Sequence, residues 1–361
     1  MSSAKRKERW SIGGHFLVSG RWNCGGLGCQ DREVGGKAVR PRVLICVVLA
    51  CLAWARGGAQ PSVAWSGYTR PGPIPVAPGQ ILTLFVTGIK ASLSAPVVAA
   101  SLPLPLSLAG ISVTIRSPSQ SYEAPLFSVA PMDPCTPAET GGAGCPVTAI
   151  TIQVPYEISP PGGTVLPPLA LSIAENGVSG PSYPLNGQAD NIHILTTCDV
   201  AVNLSASPSG GCAPLVVHAS GALVTPNSRP EPGETVLIYA TGLGSVYPLV
   251  ASGDPSPAPA AAAPLIQASA GYANNLGPSP TFERCDSCFP PGAIGDASFI
   301  GLTPGYVGLY QINLPIPKPP LGTPLCGVLF GYLIRSNFTV TLTGWVSFDG
   351  VGLCVDTSSH N

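Results

Sequence analysis

Glu231-Pro232-Gly233-Glu234-Thr235-Val236-Leu237-Ile238-Tyr239-Ala240-Thr241-Gly242 decides the fold. Proline presets the first corner of a turn and glycine supplies the positive φ of the next position. The β-branched and aromatic run that follows favours an extended strand, and Gly242 stops it. The same plan stands 154 residues earlier, as Ala77-Pro78-Gly79-Gln80-Ile81-Leu82-Thr83-Leu84-Phe85-Val86-Thr87-Gly88. Ile152-Gln153-Val154-Pro155 matches Ile312-Asn313-Leu314-Pro315 at an offset of 160, and residues 127–131 (FSVAP) match 300–304 (IGLTP). Apolar and polar residues alternate in these blocks, as half-buried strands require. On this alignment the first copy carries 13 extra residues between the second and third pairs, and Cys135 and Cys145 fall among them.

Each copy closes on further strand signals. Leu169-Ala170-Leu171-Ser172-Ile173 precedes Asn176-Gly177, and residues 338–348 (FTVTLTGWVSF) precede Asp349-Gly350. Both dipeptides suit a two-residue hairpin turn. The expected fold class is all-β, with two tandem Ig-like β-sandwich domains after an N-terminal signal segment. The expected divisions are 1–59, 60–196 and 197–361. The two-Cys-around-Trp signature of a true immunoglobulin domain is missing. Residues 251–264 (SGDPSPAPAAAAPL) read as an exposed, mobile Pro/Ala loop.

Composition agrees. Of 361 residues, 43 are Gly and 42 Pro, which punctuate many short apolar runs. Hydrophobic residues reach 45% and charged ones only 10%, unlike a disordered chain. Residues 1–59 hold 10 Lys/Arg and 3 Asp/Glu, whereas residues 60–361 hold 7 and 15, a net of −8. A basic patch able to neutralise phosphates is absent from that composition, so nucleic acid is not an expected partner.

Residues 43–55 read VLICVVLACLAWA, 13 mostly apolar residues behind Arg40 and Arg42 and before small residues. That pattern marks a secretory signal peptide, too short for a membrane span. The segment before it has no periodic pattern, so translation is expected to start downstream, at Val34 or Val39. Residues 48–51 (VLAC) loosely resemble a lipidation site at Cys51. Membrane contact is therefore expected only through the signal segment or, as a lesser alternative, through that cysteine.

Of 12 cysteines, eight follow the signal: Cys135, Cys145, Cys198, Cys212, Cys285, Cys288, Cys326 and Cys354. An even number in an exported chain reads as disulfides. Sequence proximity favours 135–145, 198–212, 285–288 and 326–354. Cys285-Asp286-Ser287-Cys288 alone has redox-type spacing, but it lacks the βαβ frame of a redox site and the partners of a zinc site.

The blocks quoted above resemble the Solibacter uncharacterised C-terminal domain family of acidobacterial secreted proteins. Carrying the resemblance are Ala77-Pro78-Gly79-Gln80, Ile152-Gln153-Val154-Pro155-Tyr156-Glu157, Pro232-Gly233-Glu234 and Tyr239-Ala240-Thr241-Gly242-Leu243-Gly244. Residues 301–315 (GLTPGYVGLYQINLP) form its longest block. It covers about residues 70–355. It implies export and β-sandwich domains, often as the last part of larger surface proteins. It implies no activity and supplies no catalytic residues. The chain departs from it in the Cys-bearing insertion, the Pro/Ala loop and the lack of a large upstream domain.

Catalytic motifs are missing: no H-E-x-x-H, P-loop, G-x-S-x-G or calcium loop appears. His193 with Asp199 could form a base and its orienting partner, and His218 with Ser220 is a chance-level neighbour. No catalytic, cofactor or metal residue is assigned. Trp65, Tyr68, Tyr306, Tyr310 and Trp345 are candidates for a carbohydrate platform, with Tyr306 and Tyr310 the expected ligand-facing pair. The expected function is a non-enzymatic extracellular or cell-surface module for adhesion, binding or display, with an extracellular glycan or protein as partner. The alternative is a secreted hydrolase with an unrecognised carboxylate/His site.

Overall fold

The structure is a computed structural model that describes residues 60–66, 73–90, 93, 95–132, 147–159, 166–199, 212–272, 295–329 and 332–358. The signal segment, Cys51, Cys135, Cys145, Cys285, Cys288, Tyr68 and the side chain of Trp65 lie outside the described residues. The chain is all-β. Its one described helical element is the 3₁₀ turn Tyr156–Ile158, and nearly all strand pairs are antiparallel. The exception is Tyr183–Gly187, which runs parallel to Ile74–Val76.

Among the described residues two large hydrophobic cores form, each between two sheets. In the first half, Ile81–Thr87 pairs with Ser62–Ser66 on one side and Val147–Gln153 on the other. The facing sheet centres on Leu169–Glu175, between Ile111–Arg116 and Tyr183–Gly187. Leu82, Leu84 and Val86 meet Val113, Ile115 and Leu171 in this core. The second half repeats the arrangement. Thr235–Thr241 lies between His193–Ile194 and Tyr310–Pro315, and Gln267–Gly271 pairs with Phe338–Thr343 in the facing sheet. Strict alternation explains the inward faces: Leu169–Glu175 buries every second residue, as does Tyr310–Pro315.

Several expectations change. The second repeat pair is out of register by one strand period. Gly79 donates to the Val154 carbonyl and Gly233 to the Ile316 carbonyl, so Val154 corresponds to Ile316, an offset of 162 rather than 160. A two-residue slip keeps every side chain on its face, so the apolar pattern cannot detect it. Asp349-Gly350 is not a turn. Both residues sit inside the strand Phe348–Leu353, and residues 344–347 make the hairpin. Asn176-Gly177 is a turn, with φ of 50° and 79° as a type I′ hairpin requires. The change of core comes before residue 196: Leu185 packs in the first core and Ile192 in the second. Residues 251–264 are packed rather than loose. Ala261 and Ala263 are buried in the second core, and Ala262 bridges Tyr247 and Gly301.

Disulfides join Cys198 to Cys212 and Cys326 to Cys354, two of the locally favoured pairs. Closing loops of this size stabilises by about 2–4 kcal/mol each, mainly by restricting the unfolded chain.

Candidate functional site

Residues 58–361 form one compact unit, so the halves share a defined junction. Hydrogen bonds cross it. Ile81 N–H donates to Thr241 Oγ1 at 2.9 Å, and Gly253 N–H donates to Gln153 Oε1 at 2.7 Å. Ser252 accepts from Tyr156 N–H at 2.8 Å and donates its hydroxyl to Glu157. Tyr156 belongs to the first half by sequence but packs in the second core. It can do so because Gly79 has no side chain: a Cβ there would lie 2.1 Å from the Tyr156 ring, at a backbone φ of +73°.

Tyr310 stands at the centre of this junction. It is 0% exposed, which corrects its expected ligand-facing role. Tyr310, Ile312 and Leu314 alternate onto one face of their strand, and that face is the core. Its hydroxyl donates to the Gly244 carbonyl and lies 3.3 Å from the Tyr156 hydroxyl. Burial pushes Tyr156 up to about 12, outweighing the hydrogen bond with Tyr310 that lowers it. Tyr306 precedes the strand and is 58% exposed.

A groove of about 640 Å³ opens beside Tyr156. Val246, Tyr247, Leu249, Val250 and Leu265 form its apolar wall, and Glu157, Ser159 and Ser245 its polar edge. Tyr247 is 76% exposed and Leu249 70%, so apolar surface faces water here. Of the lining residues, the sequence motifs contain Tyr156 and Glu157, without marking either as a site. The one available signal was the apolar run in residues 246–250, directly after a glycine-ended strand.

His193 is placed between two carboxylates. Its Nε2 lies 3.1 Å from Asp199 Oδ2 and its Nδ1 3.6 Å from Asp349 Oδ2. With both ring nitrogens so engaged, the ring has no free nitrogen to act as a general base. The hydrogen bond to Asp199 first, then the pairing with Asp349, raises its pKa to about 9 against the opposing effect of burial. Burial pushes the Asp199 carboxyl up, but hydrogen bonds from His193 and Thr196 outweigh this and leave it below its ordinary value.

The raised His193 pKa has a definite sign. The native state favours the imidazolium, so this stabilisation is complete below the ordinary value of 6.5 and lost as pH rises through about 9. The side chain is 45% exposed, so screening holds the loss to about 1 kcal/mol. Urea midpoints of the wild type are expected to fall over that window. His193→Gln should flatten the alkaline slope; an unchanged slope would refute the assignment.

His218 has different neighbours from the Ser220 that sequence proximity offered. Its Nδ1 lies 2.6 Å from Glu234 Oε1 and its Nε2 3.1 Å from Ser228 Oγ. Each partner comes from a separate turn, at residues 225–228 and 231–234.

No protein-family model matches the chain, and no curated protein matches it.

Proposed function

We propose that the protein is an exported binding module, built of two Ig-like sandwich domains in tandem, that holds a segment of another extracellular protein in the groove beside Tyr156. The groove carries this reading. Ligand sites are concave, mostly apolar, furnished with a few placed polar groups, and frequent at domain junctions. The walls of Leu249, Leu265, Val246 and Val250 suit apolar peptide side chains. A sugar would ask for more hydroxyl partners than Glu157, Ser159 and Ser245 supply. The two disulfides support an oxidising compartment, in keeping with the signal-like segment. The resemblance to the Solibacter uncharacterised C-terminal domain family is part of the same proposal and points to the same compartment.

The test is selection of a displayed random-peptide library on the exported protein, beside a glycan array. Apolar peptides are expected, and Leu249→Asp should weaken them at least about tenfold, since one well-buried apolar contact is worth roughly 1.5–3 kcal/mol. Peptides that bind the variant equally well, or a response on the glycan array alone, would overturn the reading.

A further inference from the structure

We infer that Ser228, His218 and Glu234 form a nucleophilic acyl-transfer site acting on carboxylic esters. The three residues are brought together by the backbone. His218 ends the strand Val216–His218, which pairs with Thr235–Thr241. Ser228 closes a turn in which Thr225 N–H donates to the Ser228 carbonyl at 2.9 Å and Ser228 N–H donates to Thr225 Oγ1 at 3.0 Å. Glu234 closes the Pro-Gly turn, where its N–H donates to the Glu231 carbonyl at 3.1 Å and its Oε2 accepts from Glu231 N–H at 3.2 Å. The Glu234 carboxylate is thus held from behind while Oε1 points to His218.

The internal repeat sharpens this. Gln80, at the matching place in the first half, uses its Oε1 to accept from Ala77 N–H at 2.9 Å. A carboxylate at position 234 keeps that turn bond with one oxygen and leaves the other for an imidazole.

The tautomer follows from the partners. A carboxylate only accepts, so the hydrogen sits on Nδ1 at 2.6 Å from Glu234. The neutral ring then offers its Nε2 lone pair to the Ser228 hydroxyl at 3.1 Å. Nε2 also lies 3.3 Å from the Ser228 carbonyl oxygen, an acceptor that only the protonated ring can use. Nucleophile bonded to base, and base bonded to orienting acid, is the relation by which such triads are recognised on unrelated folds.

The chemistry balances with water as the only co-reactant. Ser228 Oγ attacks the ester carbonyl carbon as its proton passes to His218 Nε2. The C–O bond to the alcohol breaks, and that proton leaves with the alcohol. Water then attacks the acyl-serine by the same route, releasing the carboxylic acid and restoring the serine. Glu234 holds the ring and stabilises its charge; it is a positioning residue. Ser228 is exposed at its turn, so the ester reaches it directly from solvent.

The test is reaction of the folded protein with a fluorophosphonate probe, followed by peptide mapping and by turnover of p-nitrophenyl acetate. An adduct on Ser228 is expected, absent in Ser228→Ala. His218→Gln should slow its formation at least about 10³-fold, the order of a missing triad member. Glu234→Gln should slow it at least about 10²-fold, and Glu234→Asp should recover part of that loss. Circular dichroism checks that each variant folds, and the wild type decides even if a variant does not. No adduct on Ser228 in the wild type overturns the proposal. So does a labelling rate unchanged in folded His218→Gln, which would leave the histidine as a clamp between two turns.

Discussion

Tyr310→Ala is expected to lower stability by about 3–5 kcal/mol. Among the described residues Tyr310 is the bulkiest fully buried side chain, and it touches both halves through Tyr156. Its removal opens a cavity where Tyr156, Leu302 and Phe338 share a core. It also strips the Gly244 carbonyl of its donor. Urea denaturation followed by circular dichroism measures the loss; a change below about 1 kcal/mol would contradict the packing. Tyr310→Phe separates the two contributions. It keeps the volume and removes only the hydroxyl, so about 1–2 kcal/mol is expected. A cycle with Tyr156→Phe should show coupling of at least about 0.5 kcal/mol, because the two hydroxyls share one bond. The pH dependence has the matching sign. Burial raises both tyrosines, so the fold favours the neutral phenols and loses stability as pH climbs above 10.

Asp190→Ala is expected to cost about 3 kcal/mol. Asp190 is buried, and its carboxylate organises the hairpin at residues 344–347. Oδ2 accepts from Trp345 N–H at 2.6 Å and from Val346 N–H at 3.2 Å. Oδ1 accepts from Ser347 N–H at 2.8 Å and from the Ser347 hydroxyl at 2.6 Å. Alanine leaves all these donors without their acceptor, and each unpaired donor away from water costs about 1–3 kcal/mol, less where the turn meets solvent. Asp190→Asn keeps one acceptor oxygen and should fall between the wild type and alanine. Gly344→Ala reaches the same place from the other side, since its Cβ would meet the Asp190 carboxylate at 2.4 Å. Equal urea midpoints for wild type and Asp190→Ala would show that the hairpin stands without the carboxylate.

What the sequence revealed and what it hid divide along one line. Asn176-Gly177 was legible because a type I′ turn needs two adjacent positive φ values, and that demand is local. Cys198–Cys212 and Cys326–Cys354 were legible because each closes a short loop. Asp349-Gly350 misled because the same residues fit a strand once Asp349 can accept from Ile194 N–H, at 2.8 Å, across the sheet edge. Tyr310, expected to face a ligand, turns inward with Ile312 and Leu314 because the three share one face of their strand. The Pro/Ala loop was misread because alanine and proline carry no signal for the core that Ala261 and Ala263 enter.

By itself, then, the sequence determined the all-β character and the repeated turn-strand plan, and it favoured the pairs Cys198–Cys212 and Cys326–Cys354. These follow from φ preferences, a two-residue period and loop closure, which act over a few residues or a short span. Only the tertiary structure decided the register of the repeat, the entry of Tyr156 into the other half's core, the groove beside it and the meeting of His218 with Ser228 and Glu234. A slip of two residues leaves every apolar face intact, so pattern cannot choose between registers. Which turns come to lie against one imidazole depends on where a strand pairs, and that is settled by packing across the sheet.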